Sequence, residues 1–590
     1  MRHLWKLTLG LILIPAAAQT VPPQQLFASR CGACHGEDAH GSAQGPGLAK
    51  NPRVAVQSVD QLQAYVKSGN PGAGMPSFGA LPASELATLA KYIKRINNDT
   101  ILPPVLSANA TRKADWLPPQ PGDWLTYNGN DSGNRYSTLK QIDVSNVSSL
   151  KLKWMFPISY FGLETTPLEA EGVLYVTGPN QVFALDALTG SAIWQYSRPA
   201  TPGMVGDAAL GTNRGVAILR DKVFFVTDNA HLLALDRATG ALLWDKMMAP
   251  PPGSPELTAG TKYYYGGTLA PLIVHNNVVV GVTGADHGIR GFVAAFRADD
   301  GSLAWRRWTV PPEPITGGGS TWLTGSYDAS TDTLYWATGN PWPDGDDRNR
   351  PGDNLYTNCV LALNPSTGEI KWHYQFTPHD VKDRDATEPN VLVDTTYKGK
   401  PSKLLLHADR NGFFYVFDRR DGNLLSSKPF LRRMDWASGI GPDGRPVVTL
   451  PGGCPSDAAN WESTAFSPET HFYYFLALEE CTGKPTGYPE QTGQRFLRAL
   501  NIETGEIVWE VPQPGPPRAK TWSGVLATAG GLIFYGQPNG GFAAVDSRNG
   551  KTLWQIPTNV RMKASPMTFM TGGKQYVVVA AGPNILCFGL

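Results

Sequence analysis

Apolar residues follow three different rhythms along the chain. Leu7 to Ile14 is an apolar run. Between Ser84 and Ile96, Leu86, Leu89, Ala90 and Ile93 recur at the spacing of one helix face, which predicts a helix there. Past Asp123 the rhythm changes to short apolar runs punctuated by turn residues, which predicts strands. One phrase keeps returning in that region: a strand ending in an aliphatic-Asp or similar pair, a Thr-Gly or similar turn, then a tryptophan. It runs from Ala184-Leu185-Asp186 to Trp194, Ala234-Leu235-Asp236 to Trp244, Ala294-Ala295-Phe296 to Trp305, Ala362-Leu363-Asn364 to Trp372, Ala499-Leu500-Asn501 to Trp509, and Ala544-Val545-Asp546 to Trp554. Val416-Phe417-Asp418 repeats it without its tryptophan, and Leu152-Lys153-Trp154 supplies a tryptophan without the preceding turn. The count is close to eight, at spacings of roughly 45 to 67 residues, which fit one four-stranded propeller blade each with loop insertions. The expected fold is mainly β, an eight-bladed β-propeller whose tryptophans pack between blades, with a small all-α domain ahead of it. Such a repeat reports fold alone, so function is read from the residues that interrupt it.

At 590 residues the chain exceeds what one core serves, so at least two domains are expected. Gly (63), Pro (49) and Trp (17) are abundant and only 17% of residues are charged, which suits short strands and tight turns. The formal charge is +1, and no run of Lys or Arg is dense enough to follow a phosphate backbone, so nucleic acid is not an expected partner. Arg2, His3 and Lys6 precede or flank the apolar run and Ala16-Ala17-Ala18 follows it, the layout of a cleaved export signal. The run is far short of the ~18 to 20 apolar residues that span a bilayer, and no later segment reaches that length. The mature chain is therefore expected in the periplasm, without a transmembrane helix. Asn97 to Pro121 hold Pro103, Pro104, Pro118, Pro119 and Pro121 without sustained periodicity, which marks a linker. The chain divides accordingly into a signal peptide at 1–18, a small domain at 19–98, a linker at 99–122 and the propeller at 123–590.

Cys31-Gly32-Ala33-Cys34-His35 is the attachment pattern of c-type haem. On a helical turn the two thiols, three apart, face the same side and add to the haem vinyl groups, while His35 comes beneath the iron. Met75, in the loop Gly74-Met75-Pro76-Ser77-Phe78, is the candidate for the second axial position, and His/Met ligation favours a high potential. A redox or zinc use of the cysteine pair is disfavoured, because no second pair and no βαβ pattern lies nearby. From about Gln25 to Ile96 the segment resembles class I cytochrome c domains.

From about Asp123 to Gly582 the repeats resemble the tryptophan-docked propeller of the pyrroloquinoline quinone (PQQ)-dependent alcohol dehydrogenases, the methanol and ethanol dehydrogenase family. With the cytochrome segment, the likeness extends to the quinohaemoprotein members. It is carried by Gly162-Leu163-Glu164-Thr165-Thr166-Pro167, Asn213-Arg214-Gly215, Gly284-Ala285-Asp286-His287-Gly288-Ile289-Arg290-Gly291, Gly317-Gly318-Gly319-Ser320-Thr321-Trp322, Thr338-Gly339-Asn340, Thr377-Pro378-His379-Asp380 and Asp409-Arg410-Asn411-Gly412. The resemblance implies that Glu164, Arg214 and Thr268 hold the carboxylates and carbonyls of the quinone, with Thr283, Gly284, Ala285 and Ser320 around it. Trp322 would form the floor, and Asn460, Trp461 and Trp522 would border the cofactor. A tricarboxylated aromatic needs such donors at its rim and an aromatic face beneath it. Asp286, Asn340 and Asp383 would hold a metal through hard oxygen donors. Asp383 would also take the hydroxyl proton of a small-molecule alcohol while the adjacent carbon delivers hydride to the quinone carbonyl, polarised by the metal and Arg410. Electrons would pass to the chain's own haem c and then to a downstream periplasmic or membrane acceptor.

Asp385 matches the acidic pair that distinguishes lanthanide-using members of the family, where calcium users generally carry an uncharged residue. In an extended segment side chains at i and i+2 point to the same side, so Asp383 and Asp385 are both expected on one cation. A further anionic oxygen better compensates a trivalent ion, so a lanthanide is expected ahead of Ca2+. Three features depart from the family pattern. Ala208-Ala209 stands where relatives usually carry adjacent cysteines, Asp286 replaces a glutamate, and Lys382 precedes Asp383 in place of an aromatic. Cys454 and Cys481 flank Asn460-Trp461, and an exporting compartment permits a disulfide between them; Cys359 and Cys587 read as buried strand residues. Two alternatives stand beside this reading: oxidation of a secondary or polymeric alcohol, or a non-enzymatic haem-bearing propeller for electron transfer or partner binding. The alcohol itself depends on loops such as Pro199 to Leu210 and Trp342 to Asp353.

Overall fold

A computed structural model of the chain describes residues 23–36, 39, 41–42, 45–49, 51–71, 75–98, 120, 122–251, 254, 265–311, 317–455, 457–479, 494–513 and 523–590. It falls into two compact units, Met1–Leu102 and Pro103–Leu590. The expected signal peptide and nearly all of the expected linker lie outside the described residues, as do Cys481 and Trp522. No helix among the described residues is long and apolar enough to cross a membrane.

The first unit is built on the helices Pro23–Arg30, Gly32–His35, Pro52–Ala55, Val59–Ser68 and Ala83–Asn98. The last of these is the helix predicted from its apolar spacing. Leu86, Leu89, Ala90 and Ile93 are all buried, packed with Phe27, Cys31 and Val66. Val59–Ser68 starts at a reciprocal cap: Ser58 Oγ accepts from Gln61 N at 3.2 Å while Gln61 Oε1 accepts from Ser58 N at 2.8 Å.

The second unit contains eight blades. In the first, Leu168–Ala170, Val173–Gly178, Gln181–Asp186 and Ala192–Ser197 pair in chain order as an antiparallel meander. Six more blades follow along the chain. The eighth joins the two ends of the unit, because Lys151–Pro157 pairs antiparallel with Asn584–Gly589, the last strand of the chain. This pairing of an early strand with the last one closes the ring.

The repeated phrase has one structural cause. Trp194 sits opposite Ala184, donates from Nε1 to Arg237 O of the next blade at 3.0 Å, and lies flat against Gly240. The same docking joins Trp154 to Ala187 O and Gly190, Trp305 to Pro365 O and Gly368, Trp372 to Arg419 O and Gly422, and Trp509 to Ser547 O and Gly550. A Cβ at any of these five glycines would fall 2.4 to 2.7 Å from an indole atom, so the turn must carry glycine. The blade that lacks the tryptophan keeps the register with Ser426 opposite Val416, and covers Gly505 with the aliphatic stem of Lys428.

Candidate active site

Blade topology gathers the interrupting residues. Glu164, Arg214, Thr268, Trp322, Asp385 and Trp461 each lie in the segment leading into the first strand of a blade. Asp286, Asn340 and Arg410 each follow a second strand. In an antiparallel meander the start of strand one and the end of strand two lie at the same end of the blade. Residues spread over more than half the chain are thus delivered to one end of the ring.

Arg214 is only 2% exposed there. Its guanidinium lies between two indoles, 4.8 Å from the Trp322 ring centre and 4.5 Å from that of Trp461. Nη2 is 2.8 Å from Glu164 Oε2, whose other oxygen is 3.4 Å from Lys563 Nζ. Burial pushes the Glu164 carboxyl up, and Arg214 and Lys563 pull it back. Nε and Nη1 of Arg214 are buried without a hydrogen-bond partner. Backbone contacts fix the residue, with Arg214 N donating to Thr268 O and Arg214 O accepting from Thr166 N, both at 3.0 Å. Two open N–H donors beside two aromatic faces form a slot for a flat, carboxylated ligand, and this donor set fits PQQ.

Thr268 Oγ1 donates to Trp322 O at 3.4 Å, bracing the floor indole through its main chain. Thr283 exchanges backbone hydrogen bonds with Gly266, and Gly284, at φ 117°, opens the short turn Ala285–His287 that carries Asp286. Ala208, in place of one of the absent cysteines, is buried in the short helix Gly206–Ala209 beside Gly266. Cys359 and Cys587 are fully buried strand residues, and Cys454 is disulfide-bonded.

Beside the slot stands a crowd of carboxyls around one guanidinium. Arg410 Nη2 is 3.4 Å from Asp383 Oδ2 and its Nε is 3.2 Å from Asp457 Oδ1. Asp457 also accepts from Asn460 Nδ2 at 3.2 Å, which ties Asn460 to Arg410. Burial opposes the charge on Arg410, but Asp457, Asp383, Asp385 and Glu388 outweigh it and hold the guanidinium above its usual range. Lost solvation in the cleft pushes Asp383 up to about 7, with Asp385, Asp380 and Asp344 adding and Arg410 opposing. Lost solvation likewise raises Asp385 to about 6, Arg410 opposing and Asp286 adding. Asp286 rises to about 6 for the same first reason, then through Asp383 and Asp344. Asp286, Asn340, Asp383 and Asp385 are hard oxygen donors delivered to this end of the ring, a donor set whose chemistry fits a multivalent cation.

The Asp383–Asp385 segment is not extended, contrary to the expectation from i, i+2 alternation. Asp383 adopts φ 55° outside any strand, and the N–H groups of Lys382 and Arg384 on either side of it donate to Asp380 rather than to a strand ladder. Asp385 is 8% exposed; its Oδ1 accepts from Asn340 N at 2.6 Å and its Oδ2 from Trp322 Nε1 at 3.1 Å. It therefore touches both the floor and an expected metal ligand. A Cβ on Gly339 would fall 2.3 Å from Asp385 Oδ1 and 2.7 Å from Ser320 Oγ, which is why glycine precedes Asn340. Asn340 Nδ2 donates to Pro341 O at 3.1 Å, so the oxygen end of the amide is the one free to meet a cation. Asp457 and Lys563 were not among the residues expected from sequence; neither belongs to a motif, and Lys563 lies 399 residues from Glu164.

In the first unit Cys31 caps the short helix Gly32–His35, which carries Cys34 and His35. His35 Nδ1 lies 2.8 Å from Pro46 O, which commits that nitrogen to a carbonyl and leaves Nε2 for iron. Met75 pairs with Asn70 through two backbone hydrogen bonds and packs on the core of the unit. This donor set fits a covalently bound haem.

A family model described as glucose/ethanol/alcohol dehydrogenase, beta-propeller domain, matches residues 124–427 and 496–577. A second, described as cytochrome c oxidase, cbb3-type, subunit III, matches residues 18–93. Quinohaemoprotein alcohol dehydrogenase ADH IIB of Pseudomonas putida is 34% identical over 525 residues, 78% of this chain and 73% of that protein. The crystal structure of the quinohaemoprotein alcohol dehydrogenase of Comamonas testosteroni superposes with a TM-score of 0.71 at 31% identity, covering 82% of this chain and 81% of that one. A europium-containing methanol dehydrogenase superposes at 0.70 with 29% identity, covering 80% of this chain and 98% of that one. The chain belongs to the quinohaemoprotein alcohol dehydrogenases, enzymes of the PQQ propeller family that carry a cytochrome c domain. Its cofactors are accordingly PQQ and haem c, and the non-enzymatic alternative is set aside.

Proposed function

We propose that this enzyme oxidises a small alcohol in the periplasm at Asp383, over PQQ held by Arg214 and floored by Trp322, with a lanthanide held by Asp286, Asn340, Asp383 and Asp385. In the same reading residues 1–18 are the export signal, 19–98 the cytochrome domain, 99–122 the linker and 123–590 the propeller. The carrying observation is the buried Arg214 guanidinium with two unpaired N–H groups, set beside the carboxyl crowd around Arg410. When bound, PQQ would supply a hydride-accepting carbonyl and the cation a Lewis acid to polarise it. Asp383 takes the hydroxyl proton onto a carboxylate oxygen. Arg410, anchored through Asp457, keeps a positive charge beside that carboxylate and beside the site where negative charge develops. Trp322, its indole fixed by Asp385 and its carbonyl by Thr268, supplies a rigid aromatic floor. Cys31, Cys34, His35 and Met75 would hold haem c, which would supply a one-electron acceptor between the quinone and a downstream partner.

The second acidic residue, Asp385, favours a lanthanide over Ca2+, and the europium-containing methanol dehydrogenase shares this fold. The test is reconstitution of the purified apoprotein with PQQ and either lanthanum or calcium, assayed over a panel of alcohols. Lanthanum is expected to restore alcohol-dependent haem reduction at lower metal concentration, and Asp385→Ala to erase that preference. Equal or better activation by calcium would overturn the lanthanide assignment. No alcohol-dependent haem reduction with either metal would overturn the substrate assignment.

A further inference from the structure

Two carboxylates proposed for one cation sit on a short strap, Asp380 to Asp385, that belongs to no helix or strand. We propose that Asp380 and Arg384 are positioning residues that fix Asp383 and Asp385 toward the cation. This inference rests on the metal reading given above.

Asp380, its side chain fully enclosed, spends its carboxylate on the strap itself. Oδ1 accepts from Lys382 N at 3.0 Å and Oδ2 from Arg384 N at 2.6 Å, so the residues on either side of Asp383 are tied to one group. Those ties hold Asp383 at φ 55°, a left-handed conformation that an aspartate leaves readily once released. Arg384 points the opposite way and is 1% exposed. Its guanidinium lies 4.4 Å over the Trp436 ring, and its Nη2 donates to Gly453 O at 2.9 Å and Pro455 O at 3.4 Å. Its Nη1 stays 3.8 Å from Asp380 Oδ1, closing the clamp.

The strap therefore alternates by anchoring rather than by strand geometry. Arg384 is drawn into the 453–455 segment, which leaves its two neighbours to turn toward Arg410 and Trp322. That segment includes the disulfide-bonded Cys454, so the anchor is itself tethered to the chain at a second point. On the other side, Arg350 Nη2 donates to Asp380 O at 2.6 Å. None of Asp380, Arg384 or Arg350 needs to touch the cation for its removal to spoil the spacing of the two carboxylates that do.

The test measures metal affinity directly, by equilibrium dialysis of the full-length, haem- and PQQ-loaded protein against lanthanum followed by elemental analysis. Asp380→Asn keeps size but sets an amide N–H2 against a peptide N–H, and Arg384→Lys keeps charge but loses the fork that grips Gly453 and Pro455. Each is expected to raise the lanthanum Kd at least about tenfold, as outer partners of metal ligands do, while PQQ content and melting temperature stay near native. Asp380→Glu, which restores the acceptor charge, is expected to recover part of that loss. A folded variant whose lanthanum Kd stays within about twofold of native overturns the clamp, and if Asp380→Asn fails to fold, Arg384→Lys alone decides. Asp385→Ala separates the two levels. If it binds lanthanum as tightly as the native chain, the metal reading falls and the clamp with it; if it binds weakly while the clamp variants do not, the clamp alone falls.

Discussion

Arg214 shows how a residue discloses its ligand. A buried N–H without a partner costs roughly 1 to 3 kcal/mol, so two of them on one guanidinium are tolerated where something else satisfies them. Lysine would keep the charge and lose the planar fork between Trp322 and Trp461. Arg214→Lys is expected to weaken PQQ binding by about 100-fold or more, read by dialysis against free quinone, with the fold intact. Unchanged quinone affinity would remove Arg214 from the slot. Asp383 is separable from binding in the same way. Asp383→Asn retains an oxygen for the metal and loses the base, so turnover at saturating quinone and metal is expected to fall by about 10² to 10⁴. Near-native turnover would move the proton to another group.

At the scale of elements, the tryptophan phrase was legible because docking demands one aromatic at one register and one glycine in the facing turn. Trp194→Ala removes a fully buried ring from between two blades and is expected to cost about 3 to 5 kcal/mol, measured by chemical denaturation of the propeller. A loss below about 1 kcal/mol would show that docking is incidental to stability. The strap at Asp383 was not legible, since its turn depends on Asp380 three residues away and on a segment beyond residue 450. Spacing suggested that Asp383 and Asp385 share a side, but the anchoring of Arg384, not strand alternation, is the cause. Asp457 escaped for a similar reason: nothing in Asp457-Ala458-Ala459-Asn460 announces a partner for Arg410, which comes from a different blade. A strand-level prediction concerns Glu169, in the first strand of blade one. Burial pushes its carboxyl up to about 8 from 4.5, with Gly172 N opposing, and its Oε2 has no hydrogen-bond partner. A carboxyl raised in the fold binds its proton more tightly there than in the unfolded chain, so its contribution is greatest below 4.5 and is lost as pH rises through about 8. Glu169→Gln is therefore expected to melt higher than the native protein near the upper end of that window, with the difference shrinking toward the lower end. A constant difference in melting temperature across it would show that Glu169 does not titrate on unfolding.

At the scale of the whole molecule, the two units have separate cores, the cytochrome helices packing around Phe27 and Leu89 and the propeller around its blades. Oxidation of an alcohol releases two electrons together, whereas a haem iron accepts one at a time, so turnover requires repeated delivery to the same acceptor. Joining both units in one chain replaces a diffusional encounter with a high effective concentration of acceptor, which speeds each delivery without any new contact. Separate cores make the two functions separable by mutation. Replacing Cys31 and Cys34 by serine is expected to abolish covalent haem, seen as loss of haem staining on a denaturing gel, while the propeller keeps its PQQ. Alcohol-dependent reduction of an artificial dye that takes electrons directly from the quinone should then continue at near-native rate, whereas reduction of an acceptor served only through haem should stop. If dye reduction were lost while the propeller remained folded and loaded with PQQ, the haem unit would be required for the chemical step itself, and the division of labour between the two units would have to be abandoned.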